Sequence, residues 1–277
     1  MTTPEPTTPD MTTAEHAVEL AGLRHVFPGR GRGRRAVRDV EAVKDVDLTV
    51  EPGEFVSIVG PSGCGKSTIL KMIAGLLRPT EGSVRVWGEP VTGPRRDIGI
   101  ALQDATLLPW RDVMSNCLFP VELHGKVTDA ARERVSGLLE RAGLAGFESR
   151  RPKELSGGMR QRVAICRALA DDPGLLLLDE PFGSLDALTR EQMNIDLNRI
   201  WRETEKTALL ITHGIDEAVL LSTRVVILSE RPGTVVEVVT PPFPKERTKE
   251  LMSTPEFAEV CGQVRDRLFA SEAGVGG

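Results

Sequence analysis

The 277-residue chain has no apolar run that approaches the length of a membrane span. A transmembrane helix needs a stretch of about 18 or more predominantly apolar residues. Any transport function would therefore depend on partner subunits. The first residues also lack the basic and apolar segments of a secretion signal, and we expect residues 1–16 to form a disordered tail, with Met1 or Met11 as the start.

Cysteine is scarce as well. The four cysteines, at positions 64, 117, 166 and 261, show neither metal-ligand spacing nor a secreted disulfide pattern, which favours a reducing compartment. Cys64 nevertheless lies in a glycine-rich loop, where we expect it to be a target for alkylation. The net charge of −5 argues against nucleic acid as the main partner. The length suits one large domain, or a main domain with a subdomain.

The clearest motif is GPSGCGKS, which fits the pattern G-x-x-x-x-G-K-[ST] without exception. It lies between the apolar run 55–59 and a segment with helical spacing, so it joins a strand to a helix. Backbone N–H groups in such a loop point at phosphate oxygens, at the positive end of the helix. Lys66 is placed to reach the β- and γ-phosphates, Ser67 to ligate Mg²⁺ and Thr68 to donate to the α-phosphate. A chance glycine-rich turn is the alternative, which this context disfavours. The predicted nucleotide-binding residues here are Gly60, Pro61, Ser62, Gly63, Cys64, Gly65, Lys66, Ser67 and Thr68.

A second motif is LLLLDE, at residues 175–180. Its continuous apolar run is typical of a central parallel strand that is buried on both faces. Asp179 and Glu180 then fall at the carboxyl end of the strand, where open α/β sheets bind their ligands. We predict that Asp179 holds Mg²⁺ through water and that Glu180 polarises the attacking water. Two acids that merely cap a strand are the alternative.

The segment LSGGMR lies between these two motifs. Ser156, Gly157 and Gly158 precede a helix, and a serine with two glycines at a helix N-terminus can bind an anion. Taken alone, an ordinary N-cap is the simpler interpretation. This segment has no obvious role within one chain, so the ordered trio of motifs indicates that two such chains meet.

With these motifs the chain resembles the ATP-binding subunit of an ABC transporter, over about residues 17–240. The segments LQDATLLPW, RQRVAICRALA and RPG are similar to those of the nitrate/sulfonate/taurine importer ATPases. Other positions also match motifs of the family: Phe27 (adenine stacking), Gln103 (Q-loop), Ser184-Leu185-Asp186 (D-loop) and His213 (switch histidine).

The resemblance implies an ATP hydrolase that uses ATP and Mg²⁺. Two nucleotide-binding domains, in a homodimer or with a sister subunit, would join head to tail. Each ATP would lie between the phosphate loop of one chain and Ser156, Gly157, Gly158 and Asp186 of the other. Glu180, His213, Gln103 and Lys66 would be the catalytic residues, and Ser67, Gln103 and Asp179 the magnesium ligands.

The resemblance also implies partners and a location. The subunit would bind transmembrane permease subunits at the cytoplasmic face of the membrane, and a solute-binding protein indirectly. Nucleic acid is not expected. Trp110 follows Gln103, where the family builds a groove for a helix of the permease, and we expect it to be exposed to that partner. The transported solute is left open.

Simpler interpretations remain for several residues. Gln103 could be a polar strand end, His213 a core histidine and Phe27 a packing residue. Gly214 stands where the family usually has an acid, which weakens the expected support of His213. An exporter ATPase and a soluble ATPase acting on nucleic acid or ribosomes are the alternative functions.

The pattern predicts an α/β fold with a P-loop NTPase (ABC ATPase) core. It combines a mixed sheet, an N-terminal antiparallel β part and an inserted α-helical subdomain at about 104–172. The ATP-binding domain would span 17–240, and the extension 241–277 would hold one helix near 255–269. Five arginines in the segment 29–38 predict a solvated loop, with phosphate, lipid or RNA as alternative contacts.

Overall fold

The computed structural model describes residues 14–29 and 38–273. Most of the predicted tail 1–16, and the arginine-rich segment 29–38 except for its two ends, lie outside these residues. The described residues begin before residue 17, where the domain is expected to start. Ala14 packs against the core, and the Nδ1 atom of His16 lies 2.9 Å from Oε1 of Glu51.

The N-terminal part is an antiparallel sheet of four strands in the order β2-β1-β4-β5. Its strands alternate buried and exposed residues over much of their length, because only one face packs on the core. The bounds of the strands are β1 (Val18–Phe27), β2 (Val40–Val50), β4 (Glu81–Val86) and β5 (Glu89–Pro90).

The second sheet has six strands in the order β10-β9-β3-β8-β7-β6. Five of them are parallel, and β10 closes the edge antiparallel to β9. The central strands are apolar and buried along their length, as expected for a sheet covered on both faces. The bounds are β3 (Phe55–Val59), β6 (Ile98–Ala101), β7 (Leu175–Asp179), β8 (Thr207–Ile211), β9 (Arg224–Leu228) and β10 (Val235–Val239).

Seven α-helices pack around these sheets within the described residues. Three of them, α2 to α4, fall between β6 and β7, in the segment predicted to be a helical insert. The bounds are α1 (Lys66–Ile73), α2 (Val113–His124), α3 (Asp129–Arg141), α4 (Gly157–Leu169), α5 (Ala187–Thr204), α6 (Ile215–Leu221) and α7 (Pro255–Ala273). No helix of residues 14–29 and 38–273 is long and apolar enough to cross a membrane.

The mixed α/β architecture confirms the predicted fold class. Sequence periodicity did not reveal β5 or α6, since one has two residues and the other seven. The helix predicted near 255–269 is present and extends to Ala273. It packs on α6 through a small apolar cluster that includes Phe257 and Val264.

Arg247 attaches the segment before α7 to the core. Its buried guanidinium donates to the carbonyl oxygens of Leu220, at 3.0 Å, Ser222, at 2.9 Å, and Pro244. Burial lowers the pKa of Arg247 to about 10. These contacts tie the C-terminal extension to the end of α6.

Candidate functional site

The phosphate loop connects the buried strand β3 to helix α1, as its motif predicts. Gly65 directly precedes α1 with φ +109°, in a conformation that side chains disfavour. A Cβ atom there would lie 2.6 Å from the carbonyl oxygen of Ala42. Glycine is therefore needed both for the turn and for the close approach of β2.

Lys66 is the buried cation of this loop, with only 6% of its surface exposed. Its Nζ donates to the carbonyl oxygens of Gly60, at 2.8 Å, and Pro61, at 2.9 Å. Within the described residues it forms no ion pair with a carboxylate. An ammonium group held among neutral carbonyls keeps its positive charge available to an anion.

An open cleft of about 450 Å³ lies beside the loop. It brings together eight of the predicted residues, whereas Gly60, Pro61 and Cys64 of the same loop do not line it. The lining residues are Phe27, Val40, Ala42, Ser62, Gly63, Gly65, Lys66, Ser67, Thr68, Glu180 and Arg231.

Cys64 is only 1% exposed, in contrast to the expectation that it would be alkylated readily. Burial also raises the pKa of its thiol, and the nearby Lys66 only partly opposes this shift. The reactive thiolate is therefore disfavoured.

Ser67, which lines the cleft, and Asp179, which contacts Ser67 but does not line the cleft, form a pair that fits a hard cation. The Ser67 hydroxyl donates to Oδ1 of Asp179 over 3.1 Å, and burial raises the pKa of this carboxyl group. One carboxylate and one hydroxyl, completed by phosphate oxygens and water, are a typical donor set for Mg²⁺. No cluster of three or more His, Cys, Asp or Glu residues suited to a metal exists among the described residues.

Glu180 and His213 face each other across the ends of β7 and β8. The Nδ1 atom of His213 lies 3.2 Å from Oε2 of Glu180. The backbone of Glu180 has φ +44°, which is strained for any residue other than glycine. Such strained conformations are common at functional sites. His213 is exposed and is not a core histidine, so the simpler interpretation of this residue is wrong.

The chain supports His213 without an acid at position 214. The Gly214 N–H donates to Oγ1 of Thr212 over 2.9 Å, and this hydroxyl also bonds to the Glu217 carboxylate. Burial raises the pKa of Glu217, which is 7% exposed. Thr212 and Glu217 thus brace the turn that carries His213. No sequence signal marked Thr212, whereas the sequence shows Glu217 as an acid close after Gly214.

Gln103 is exposed after β6 and does not line the cleft. A Cβ atom on Gly183 would lie 3.4 Å from Nε2 of Gln103 and 3.7 Å from Oε2 of Glu180, so both side chains flank the same glycine. The Gln103 segment is held by α4, because Gln161 donates to the Leu102 carbonyl over 3.0 Å.

Phe27 ends β1 at the rim of the cleft and is 42% exposed. The ring of His25 packs edge-on against it, with 4.5 Å between the ring centroids. An aromatic ring that is fixed from behind and open in front can stack on a base, so simple core packing does not describe Phe27.

Ser156, Gly157, Gly158 and Asp186 lie outside this cleft. The side chain of Ser156 accepts from the Met159 N–H over 3.2 Å, as an N-cap of α4. Asp186 caps α5 in the same way, and its bond from the Thr189 N–H, at 3.0 Å, lowers its pKa. Ser156 and Gly157 are exposed, and Gly158 is buried.

The structure adds Val40, Ala42 and Arg231 to the lining of the cleft. No sequence signal marked the two residues of β2, and nothing in the RPG segment indicated that Arg231 would line the cleft. Trp110 lies elsewhere, in the loop before α2, and is 68% exposed.

The chain is similar to known proteins along most of its length. Residues 43–183 match a protein family described as ABC transporter. The Taurine import ATP-binding protein TauB of Yersinia pestis bv. Antiqua (strain Antiqua) is 49% identical over 233 residues, covering 82% of this chain and 91% of that protein. The Uncharacterized ABC transporter ATP-binding protein MJ0412 of Methanocaldococcus jannaschii is 47% identical over 233 residues, covering 84% and 87%.

A solved structure has the same fold. It is described as the dimeric structure of a post-hydrolysis state of the ATP-binding cassette MJ0796 bound to ADP and Pi. The TM-score is 0.69 with 32% identity, over 82% of this chain and 100% of that one.

Proposed function

Because this chain belongs to the ABC transporter family, we propose that it is the ATP-hydrolysing subunit of a membrane importer for a small sulfonate such as taurine. The observation that carries the proposal is the cleft in which Lys66, Ser67 and Glu180 meet beside Phe27. Phosphoryl transfer needs little covalent chemistry from a protein, and depends on positioning and on charge stabilisation. This set of residues provides both.

ATP would lie with its base on Phe27 and its phosphates along the loop. The backbone N–H groups of the loop and the Lys66 ammonium bind the phosphate oxygens. Ser67, Asp179 and Gln103 would hold a magnesium ion, which would supply positive charge against the phosphates. Glu180 would orient the attacking water and accept its proton, and His213 would hold Glu180 and contact the γ-phosphate.

A second nucleotide-binding domain would complete the site. Ser156 and Gly157 are exposed at the start of α4, outside the cleft of their own chain, so they are available to the nucleotide of a partner, whereas Gly158, the next residue of the helix, is buried. A head-to-tail pair with two-fold symmetry would place two ATP molecules in one closed interface. Asp186 lies near the same surface. Loss of the γ-phosphate would then loosen the pair.

Two features support import of a sulfonate. The relatives with 49% identity are named as taurine import proteins, and LQDATLLPW and RPG resemble the same importer group. The uncharacterized relative MJ0412 is almost as similar in sequence, at 47% identity. Sequence identity alone therefore does not identify the transported solute. The membrane subunits would dock at the cytoplasmic face, with one of their helices in the groove beside Trp110.

The test is reconstitution with the partners. The full chain carrying Glu180→Gln should be purified from detergent-solubilised membranes with ATP, and its partners identified by mass spectrometry. We expect a multi-span permease; recovery of ribosomes instead would favour the soluble ATPase. The wild-type complex should then show ATP hydrolysis that taurine and its binding protein stimulate, and nitrate does not. Lys66→Ala is the control that should lose ATP binding.

A further inference from the structure

Arg231 is an exposed cation on the wall of the cleft that the mechanism above does not use. It follows β9, in the turn that leads to β10. Its Nε donates to the carbonyl oxygen of Gly63 over 2.8 Å. A Cβ atom on Gly63 would lie only 2.7 Å from a terminal nitrogen of its guanidinium, so the side chain lies directly on the phosphate loop.

The backbone of this turn is fixed against the site. The Gly233 N–H donates to the Ala42 carbonyl over 3.0 Å, and the Lys44 N–H donates to the Gly233 carbonyl over 3.0 Å. A Cβ atom on Gly233 would lie 2.1 Å from the carbonyl oxygen of Cys64, a contact that only glycine permits. The turn lies between β2 and the phosphate loop, and it holds the backbone of Arg231 at the cleft. Little conformational entropy would therefore be lost when Arg231 binds a ligand.

The charge of Arg231 is not neutralised by a neighbour. Within the described residues, no carboxylate lies within ion-pair distance of its guanidinium, and the one hydrogen bond found goes to a neutral carbonyl. A guanidinium has five N–H donors in a planar fork that suits phosphate oxygens. Arg24 differs in this respect, because its guanidinium forms ion pairs with both Glu41 and Glu81 and its charge is not available to an anionic ligand.

We propose that Arg231 is a nucleotide-binding residue, whose guanidinium donates to phosphate oxygens of ATP alongside Lys66. Phosphate is the favoured contact because Gly63 belongs to the loop that cradles the phosphates. The inference rests on the proposed nucleotide site and adds a cation that the phosphate-loop motif does not include. It also gives the RPG segment a physical role: proline and glycine shape the turn, and arginine binds the ligand.

The test separates the charge of Arg231 from its bond to Gly63. The full chain should be titrated with ATP, ADP and AMP at fixed ionic strength, with Mg²⁺ present, by calorimetry. Arg231→Gln should weaken ATP binding roughly 10- to 150-fold, the range for loss of one charge-assisted bond, with smaller losses for ADP and AMP. Arg231→Lys should retain most of the affinity. Arg78→Gln, an exposed arginine outside the cleft, is the matched control and should change nothing.

Two results would overturn the inference. One is unchanged ATP affinity in Arg231→Gln. The other is an equal loss for all three nucleotides in both the Gln and Lys variants, together with a lowered melting temperature. That pattern would mean that Arg231 only supports the Gly63 carbonyl. If Lys66→Ala also left ATP binding intact, the nucleotide site itself would be wrong, which is a separate outcome.

Discussion

The imidazole of His213 lies 3.2 Å from the carboxylate of Glu180, and the two residues come from neighbouring parallel strands. They are separated by 33 positions in the sequence. The pairing places a group that can hold a proton beside the carboxylate proposed to activate water. Because His213 lies in the turn after β8, a change in the conformation of this turn would also move the partner of Glu180.

Glu180→Gln should retain ATP binding and lose turnover by about a hundredfold or more, the usual contribution of a general base. The amide keeps the size of the side chain but cannot accept a proton from water. Hydrolysis of ATP and size-exclusion chromatography with ATP provide the measurements. We expect an ATP-stabilised dimer. A monomeric variant with wild-type turnover would contradict the mechanism.

Thr212→Val should lower kcat several-fold while the KM for ATP stays nearly constant. Valine has the same shape but removes the hydroxyl that bonds to Gly214 and Glu217. An unpaired buried carboxylate costs about 1–3 kcal/mol or more, so the melting temperature should fall too. Thr212→Ser keeps the hydroxyl and should restore kcat. A lower melting temperature with unchanged kcat in Thr212→Val would mean that this network only stabilises the fold.

Native protein should react slowly with iodoacetamide at Cys64 at about pH 7–8, where free cysteine already reacts. Burial raises the pKa of this thiol, so less thiolate exists in the folded state at a given pH. The rate should increase only as the pH rises above the usual thiol value, and unfolding should remove the protection. Mass spectrometry of the labelled peptides measures this. Complete labelling of native Cys64 near neutral pH would contradict the burial.

Trp110→Ala should leave the ATPase rate of the isolated chain unchanged and weaken its binding to the permease. The indole is 68% exposed and lies outside the nucleotide cleft. Interface tryptophans commonly contribute about 2 kcal/mol or more to binding. Co-purification with the membrane subunits is the measurement. Phe269→Ala is the control, since this ring is 60% exposed on α7. Equal co-purification of both variants would exclude Trp110 from the interface.

Arg247→Met should destabilise the fold by about 2–4 kcal/mol, because the buried carbonyl groups of Leu220 and Ser222, and that of Pro244, lose a charged donor. Urea unfolding of the full chain measures the change in the free energy of unfolding. Arg265→Met, an exposed substitution on α7, should lie within about 0.5 kcal/mol of wild type. Similar stability of Arg247→Met and wild type would show that the C-terminal extension is held by its apolar contacts alone.

The sequence alone determined the local chemistry of the site. Gly60 to Thr68 lie in one continuous segment, so their motif contains nearly all the information needed to form the loop. The apolar run before Asp179 likewise predicted a buried strand, with carboxylates at its end. Periodicity was sufficient for the long elements, and it failed for α6, which has too few residues to show a helical pattern.

The parts of the site that depend on contacts between residues distant in the sequence were determined only by the tertiary structure. The approach of Arg231 to Gly63 joins positions 168 residues apart, through a turn wedged by Gly233. Thr212 and Glu217 replace the acid missing at Gly214, because helix geometry brings the carboxylate back to the start of the turn. Val40 and Ala42 line the cleft only because β2 crosses the phosphate loop. Residue type sets which bonds a side chain can form, but the packing of distant segments selects its partner.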